Sequence, residues 1–206
     1  MKLSRASGRE GSEDGHMDDD ELIRSLRAKI ADPKSRIDMT TVPVPMQYAP
    51  AKHAAILAAE SSAGVKLPVL LTSLYVDVAN GGFGPGGGLL GVTGGHTDAE
   101  GRTLAETYGA FVADGWPQGL LPLWDWGDAI WSCVDANALD ARIVTYDESG
   151  ATRTQFTLKS WLEAWVAGVD LFGEMYELMD AVLLDPFTRK PMSVKRHGKA
   201  KGGAWP

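Results

Sequence analysis

Cysteine is almost missing from this chain: Cys133 stands alone. An intramolecular disulfide is excluded, and such usage fits a reducing compartment. Histidine is scarce as well. The four histidines, at positions 16, 53, 96 and 197, fall in separate segments, and no HExxH, CxxC or paired His spacing occurs, so a zinc site has little support. There is no GxSxG turn, and neither Ser132 nor Cys133 has a histidine in its own segment to activate it. Trp131-Ser132-Cys133-Val134 reads instead as a strand with a buried thiol. No apolar run approaches the roughly 18 residues of a membrane span. The first twenty residues carry basic groups but no apolar stretch of the kind a secretory signal needs. The expected location is the cytoplasm, with no membrane partner.

What the chain does have is length enough, at 206 residues, for one well-buried core, with 44% hydrophobic residues and seven tryptophans to fill it. Its charge is unevenly placed. Residues 1 to 36 carry eight basic and eight acidic groups, residues 37 to 188 carry six and nineteen for a net of −13, and residues 189 to 206 carry six basic groups and no acid. An acidic body of this kind repels nucleic acid and attracts basic partners at long range.

Residues 1 to 17 are Gly, Ser and charge with almost nothing apolar, which predicts disorder, with Met17 a candidate natural start. Asp18 to Ile30 reads as a helix, acidic at its front end as the dipole prefers, with Leu22, Leu26 and Ile30 on one stripe. Asp32-Pro33 ends it, and the segment through Pro45 should be extended because residues before proline avoid the helical region. Ala51 to Ser62 reads as a second helix, with Ile56 and Leu57 facing inward and Gly64 closing it. Thr103 and Glu106 form a capping box for a helix with Leu104, Tyr108, Phe111 and Val112 inside. From Leu120 to Thr157 strand character takes over, in segments near 121–126, 129–135, 142–146 and 152–157, and short connections imply antiparallel pairing. Ser160 and Glu163 read as a second capping box. Leu171 to Leu184 repeats a helical pattern through Phe172, Met175, Leu178, Met179, Val182 and Leu183. Pro186 closes the folded part, and residues 186 to 206 read as a basic flexible tail.

The most distinctive stretch is Leu67 to Val92, LPVLLTSLYVDVANGGFGPGGGLLGV. Pro68 suits the start of a helix, Leu70, Leu71, Leu74 and Val78 share a face, and Asn80, Gly81 and Gly82 suit a left-handed C-cap. Six glycines between 81 and 88 then turn sharply, admit another segment closely, or stay mobile, before Leu89, Leu90 and Val92 restart a strand. Gly82, Gly84 and Gly87 match the GxGxxG spacing. The dinucleotide fingerprint, however, needs a strand before and a helix after, the reverse of the order here.

LPVLLTSLYVDVANGGFGPGGGLLGV resembles the signature segment of the SUKH superfamily, which includes a yeast cell-wall assembly regulator and many bacterial immunity proteins. RIDMTTVPVP at 36–45, GGHTDAEGRTLAETY at 94–108, LPLWDWGDAIWSCVD at 121–135 and FTLKSWLEAWVAGVDLF at 156–172 agree in order and spacing, so the resemblance covers roughly residues 20 to 185. It implies an α+β single domain over residues 18–185, mainly an antiparallel sheet flanked by helices. It also implies protein binding, with no catalytic residues to transfer; from the motifs, no cofactor or metal is expected.

The first expectation is therefore a protein-binding module, an immunity protein whose partner is a cognate toxin domain with a basic surface, such as a nuclease. Candidate contact residues are Trp124, Asp125, Asp128 and the glycine loop at Gly84, Gly86, Gly87 and Gly88. A regulatory scaffold like the yeast relative is one alternative. A small carbohydrate-acting hydrolase is the other, with Asp125 and Asp128 as acid and base beside tryptophans that stack on sugars; against it, the two aspartates flank what looks like a hairpin turn. His96, Asp98 and Glu100 could gather a hard cation, or simply form a solvated loop.

Overall fold

A computed structural model of the chain describes residues 17–32 and 48–205. The expectations for residues 1–16 and for the proline-bearing segment 33–45 lie outside the described residues.

The fold is α+β, a single domain built on a five-stranded antiparallel sheet. Helix α1 (Asp19–Ala31) starts at Asp18, whose carboxylate accepts from the Glu21 amide, and buries Leu22 and Leu26. Met17, expected in a disordered segment, donates its amide to Glu163 at 3.1 Å. Helix α2 (His53–Ala63) ends at Gly64 in the left-handed conformation. It buries Ile56, but Leu57, expected inside, is exposed. Helix α3 (Val69–Ser73) runs into one π-helical turn (Leu74–Val78), in which the Ala79 amide reaches back five residues to Leu74. Leu71, Leu74 and Tyr75 form its buried face. Helix α4 (Leu104–Ala113) opens with the expected Thr103–Glu106 box.

Four consecutive strands then form a meander: β1 (Leu120–Asp125), β2 (Trp131–Asp135), β3 (Arg142–Asp147) and β4 (Gly150–Thr157). Alternation along β2 explains why all five of its residues are buried. Trp131 points to one face, where it meets Phe111 of α4 edge-on. Its neighbour Ser132 points to the other, toward the Met175 sulfur. On that second face Trp124 of β1 lies against Trp161 of helix α5 (Leu158–Val166), ring centroids 4.1 Å apart. A sheet covered on both sides has a core that seven tryptophans can fill.

Three expectations are corrected here. Helix α5 starts two residues earlier than its expected cap, with Thr157 and Ser160 exchanging hydrogen bonds in place of Ser160 and Glu163. Only Leu171–Met175 (α6) is helical in the segment expected to form a long last helix. Tyr176–Leu184 is instead a strand, β5, paired with β6 (Pro191–Ala200) in a separate two-stranded sheet. Nor does the folded part end at Pro186. After β6, strand β7 (Gly203–Ala204) pairs with β4, and the Trp205 indole donates to Asp135 at 3.0 Å.

Candidate functional site

The glycine-rich segment lies along the free edge of β1. The Leu90 amide donates to Leu123 at 2.8 Å, Leu89 bridges to Trp124, and the Gly87 amide donates to the Asp125 carbonyl at 2.8 Å. Leu89 to Val92 thus makes a single bridge rather than the full strand expected. Three further amides of the segment are used internally: Gly82 donates to Leu89, Leu89 to Phe83, and Gly88 to Pro85. They do not converge on a common point as phosphate-binding amides must, and no helix follows them.

Close approach explains the glycines. At Gly84, φ is +101°, and a Cβ would run into the Trp124 indole nitrogen, which itself donates to the Phe83 carbonyl at 3.3 Å. At Gly86 a Cβ would sit 2.7 Å from the Asp125 carbonyl oxygen. Gly84, Gly86 and Gly87 are half-buried and Gly88 is buried against Gly82 and Phe83. The loop is therefore braced against β1, not the adaptable contact expected. Trp124 is corrected too: it is 0% exposed, a core residue closed over by the loop and by Trp161, and cannot touch a partner.

Asp125 and Asp128 lie where β1 leaves the sheet. The Asp125 carboxylate is half-buried and accepts from the Gly127 amide at 2.8 Å, an Asx-type turn. Asp128 is exposed in the turn that follows, with φ +50°. Turn formation thus accounts for the spacing of the two aspartates.

The loop after the glycines adds more acid. Asp98 is buried and receives the Glu100 amide at 3.0 Å, the Arg102 amide at 2.8 Å, the Arg102 guanidinium at 2.8 Å and the Thr107 hydroxyl at 2.9 Å. Burial pushes its pKa up, but these hydrogen bonds and the Arg102 charge outweigh it and hold the carboxyl below its ordinary value. Glu100, exposed, takes the other arm of Arg102 at 2.9 Å. His96 contacts the Gly87 carbonyl through Nε2 at 2.7 Å, and burial lowers its pKa. These residues join the glycine loop to the acidic turn. For Asp125, burial first and then the negative charges of Glu100 and Asp98 raise the pKa, against the opposing hydrogen bond from Gly127. Asp125 thus lies within the influence of Glu100 and Asp98, both of which are paired with Arg102.

His96, Asp98 and Glu100, considered as a cation loop, are directed elsewhere: to a backbone carbonyl, to Arg102 and Thr107, and to Arg102. Among the described residues no three His, Cys, Asp or Glu are grouped to hold a metal ion. The sequence reading missed Arg102 and Thr107, although Asp98 and Arg102 at i, i+4 signal an ion pair. A hollow of ≈ 200 Å³ lies elsewhere, at the end of α2, lined by Leu57, Glu60, Ser61, Gly64, Val65 and Lys66. There Glu60 is already engaged by Lys66 at 2.5 Å and the Leu67 amide at 3.0 Å. No helix among the described residues is long and apolar enough to cross a membrane. The chain matches no protein-family model and no curated protein.

Proposed function

We propose that this chain is a non-catalytic protein-binding module of the cytoplasm, an immunity protein that neutralises a toxin domain presenting a basic surface. One observation carries the reading: the half-buried Asp125 stands at the braced edge of β1 and the exposed Glu100 on the neighbouring loop, with the Asp98 charge buried behind them, within a body of net charge −13. A backbone fixed at both the glycine loop and the sheet presents such charges with little ordering cost on binding. A partner that binds nucleic acid must offer cationic groups to phosphate. A fixed acidic surface finds those groups quickly and covers them. Resemblance to the SUKH superfamily supports the same class of role, and the regulatory-scaffold alternative differs from it only in the partner.

The test is co-expression with the products of genes adjacent to this one, scored by cell survival and by co-purification. Rescue from an otherwise lethal neighbour together with a stable complex is the expected result. A lethal neighbour that is neither bound nor neutralised would end the immunity reading.

A further inference from the structure

The β5–β6 hairpin leaves the body as an arm. Its base is fixed: Tyr176 and Ala200 are paired and buried, the Lys201 amide donates to Met175 at 2.8 Å, and its ammonium donates to Gly173 at 2.7 Å. Eight residue steps from Tyr176 to Leu184 give a reach of roughly 27 Å at the usual strand rise. That length is comparable with the width of a small domain.

Apolar groups occupy both faces of the arm. The register puts Leu178, Val182 and Leu184 on one side and Met179, Leu183 and Met192 on the other. Leu178 is 53%, Val182 70% and Leu184 60% exposed, the second group is exposed as well, and Phe187 at the turn is 94% exposed. A two-stranded ribbon is marginal by itself, and contiguous apolar exposure of this kind marks a surface that is covered in use.

Charge identifies the cover. The arm, residues 176–200, carries five basic groups against the three acids Glu177, Asp180 and Asp185, a net of +2, whereas residues 37–175 carry six basic and sixteen acidic groups, a net of −10. The complement of a basic, apolar arm is an acidic surface, and this chain supplies one, with exposed apolar side chains of its own at Leu57 and Val69. Addition of a further strand at the β6 edge is disfavoured by Pro191 at its start and by the basic residues in its sequence. The exposed apolar side chains project from the faces of the ribbon, and the faces make the contact.

We propose that the arm is a dimerisation element. In a two-fold pair each β5–β6 hairpin lies across the acidic body of a second copy of this chain, with its apolar faces buried there and its basic strand set against carboxylates. The contact is isologous and closes as a dimer. It draws on the same acidic body as the toxin-binding reading, but its test reads the mass of this chain alone, so either can fail without the other.

Sedimentation equilibrium of the full chain tests this. The wild type is expected at twice the 22.1 kDa monomer mass, and to dissociate as salt is raised, because opposite charges are screened. The double variant Val182→Asp/Leu184→Asp is expected to weaken the dimer by at least about tenfold. Lys190→Glu/Lys199→Glu should weaken it and flatten its salt dependence. These side chains are exposed or on the arm, so an unchanged thermal midpoint of the dissociated chain verifies the fold. A wild type that stays monomeric up to roughly 100 μM, or a dimer indifferent to the Asp pair, overturns the proposal. So does a monomer that instead binds phosphatidylglycerol vesicles or duplex DNA through Val182 and Leu184.

Discussion

Asn80 pairs with Val92 as one strand residue pairs with another. Its side-chain oxygen accepts from the Val92 amide at 2.9 Å, and its side-chain nitrogen donates to the carbonyls of Val92 and Thr93 at 3.3 and 3.2 Å. Its own carbonyl accepts from the His96 amide at 3.0 Å. One buried amide side chain thus stands in for a strand in closing the glycine segment onto the loop that carries Asp98. Asn80→Ala leaves the Val92 amide buried without its partner, while the Val92 carbonyl keeps the Gly95 amide at 2.8 Å. The expected loss is about 1–3 kcal/mol of unfolding free energy, measured by urea denaturation. Asn80→Asp should lose a similar amount at neutral pH, since a carboxylate cannot donate to either carbonyl.

Packing of the glycine loop on Trp124 gives a second expectation. Gly84→Ala forces a Cβ into the indole at a positive φ and should destabilise by more than about 2 kcal/mol. Trp124→Ala opens a cavity opposite Trp161 and should cost about 3–5 kcal/mol. Both effects belong to folding, so thermal unfolding is the measurement. A Gly84→Ala variant as stable as wild type would mean that the loop is not braced.

Much of this architecture was legible. Local signals with one meaning held: Thr103–Glu106 capped its helix, Gly64 closed another, and the turn residues between 126 and 150 spaced the meander. The failures have a common cause. Residues 171–184 carry apolar groups on every side, so they satisfy the period of a helix as well as that of a strand, and the long-range pairing with β6 decided the matter. The basic sequence of β6 lacks alternation and hid its partner. Beside the polar Asp125 and Asp128, Trp124 reads as a contact residue, yet strand alternation and the loop above it place it in the core. Asn80 before two glycines suggested a cap, but the helix leaves through Ala79 in an extended conformation, which frees the Asn80 side chain to reach Val92.

The loop carrying Asp98 should make stability depend on pH in two windows. Asp98 is held below its ordinary pKa by Arg102 and its hydrogen bonds, so its stabilisation is full above the ordinary carboxylate range and is lost as pH falls through its folded pKa. Asp98→Asn should therefore destabilise at pH 7, with the gap closing below about pH 4. His96 is shifted down by burial, so the fold favours the neutral ring. Its stabilisation is complete above the ordinary histidine range and declines as pH falls below about 6.5. Urea midpoints of wild type and His96→Gln should differ more at pH 7.5 than at pH 5.5.

Strand β7 and Trp205 tie the end of the described chain to the sheet. Removing residues 201–206 exposes the edge of β4 at Thr152 and Arg153 and removes the indole donor from Asp135. A loss of about 1–2 kcal/mol is expected, together with faster hydrogen exchange at the amides of β4.

The proposed acidic surface is tested most directly by the association rate of this chain with a neighbouring gene product that co-purifies with it, measured by stopped flow across a salt series. Wild type should associate fast at low salt and slow steeply as salt rises. Glu100→Lys/Asp125→Lys should lower the low-salt rate by at least about tenfold and flatten the slope, with its thermal midpoint confirming the fold. A rate and salt slope unchanged by that double reversal would contradict the proposed role of Glu100 and Asp125, backed by the buried charge of Asp98, in capturing a basic partner.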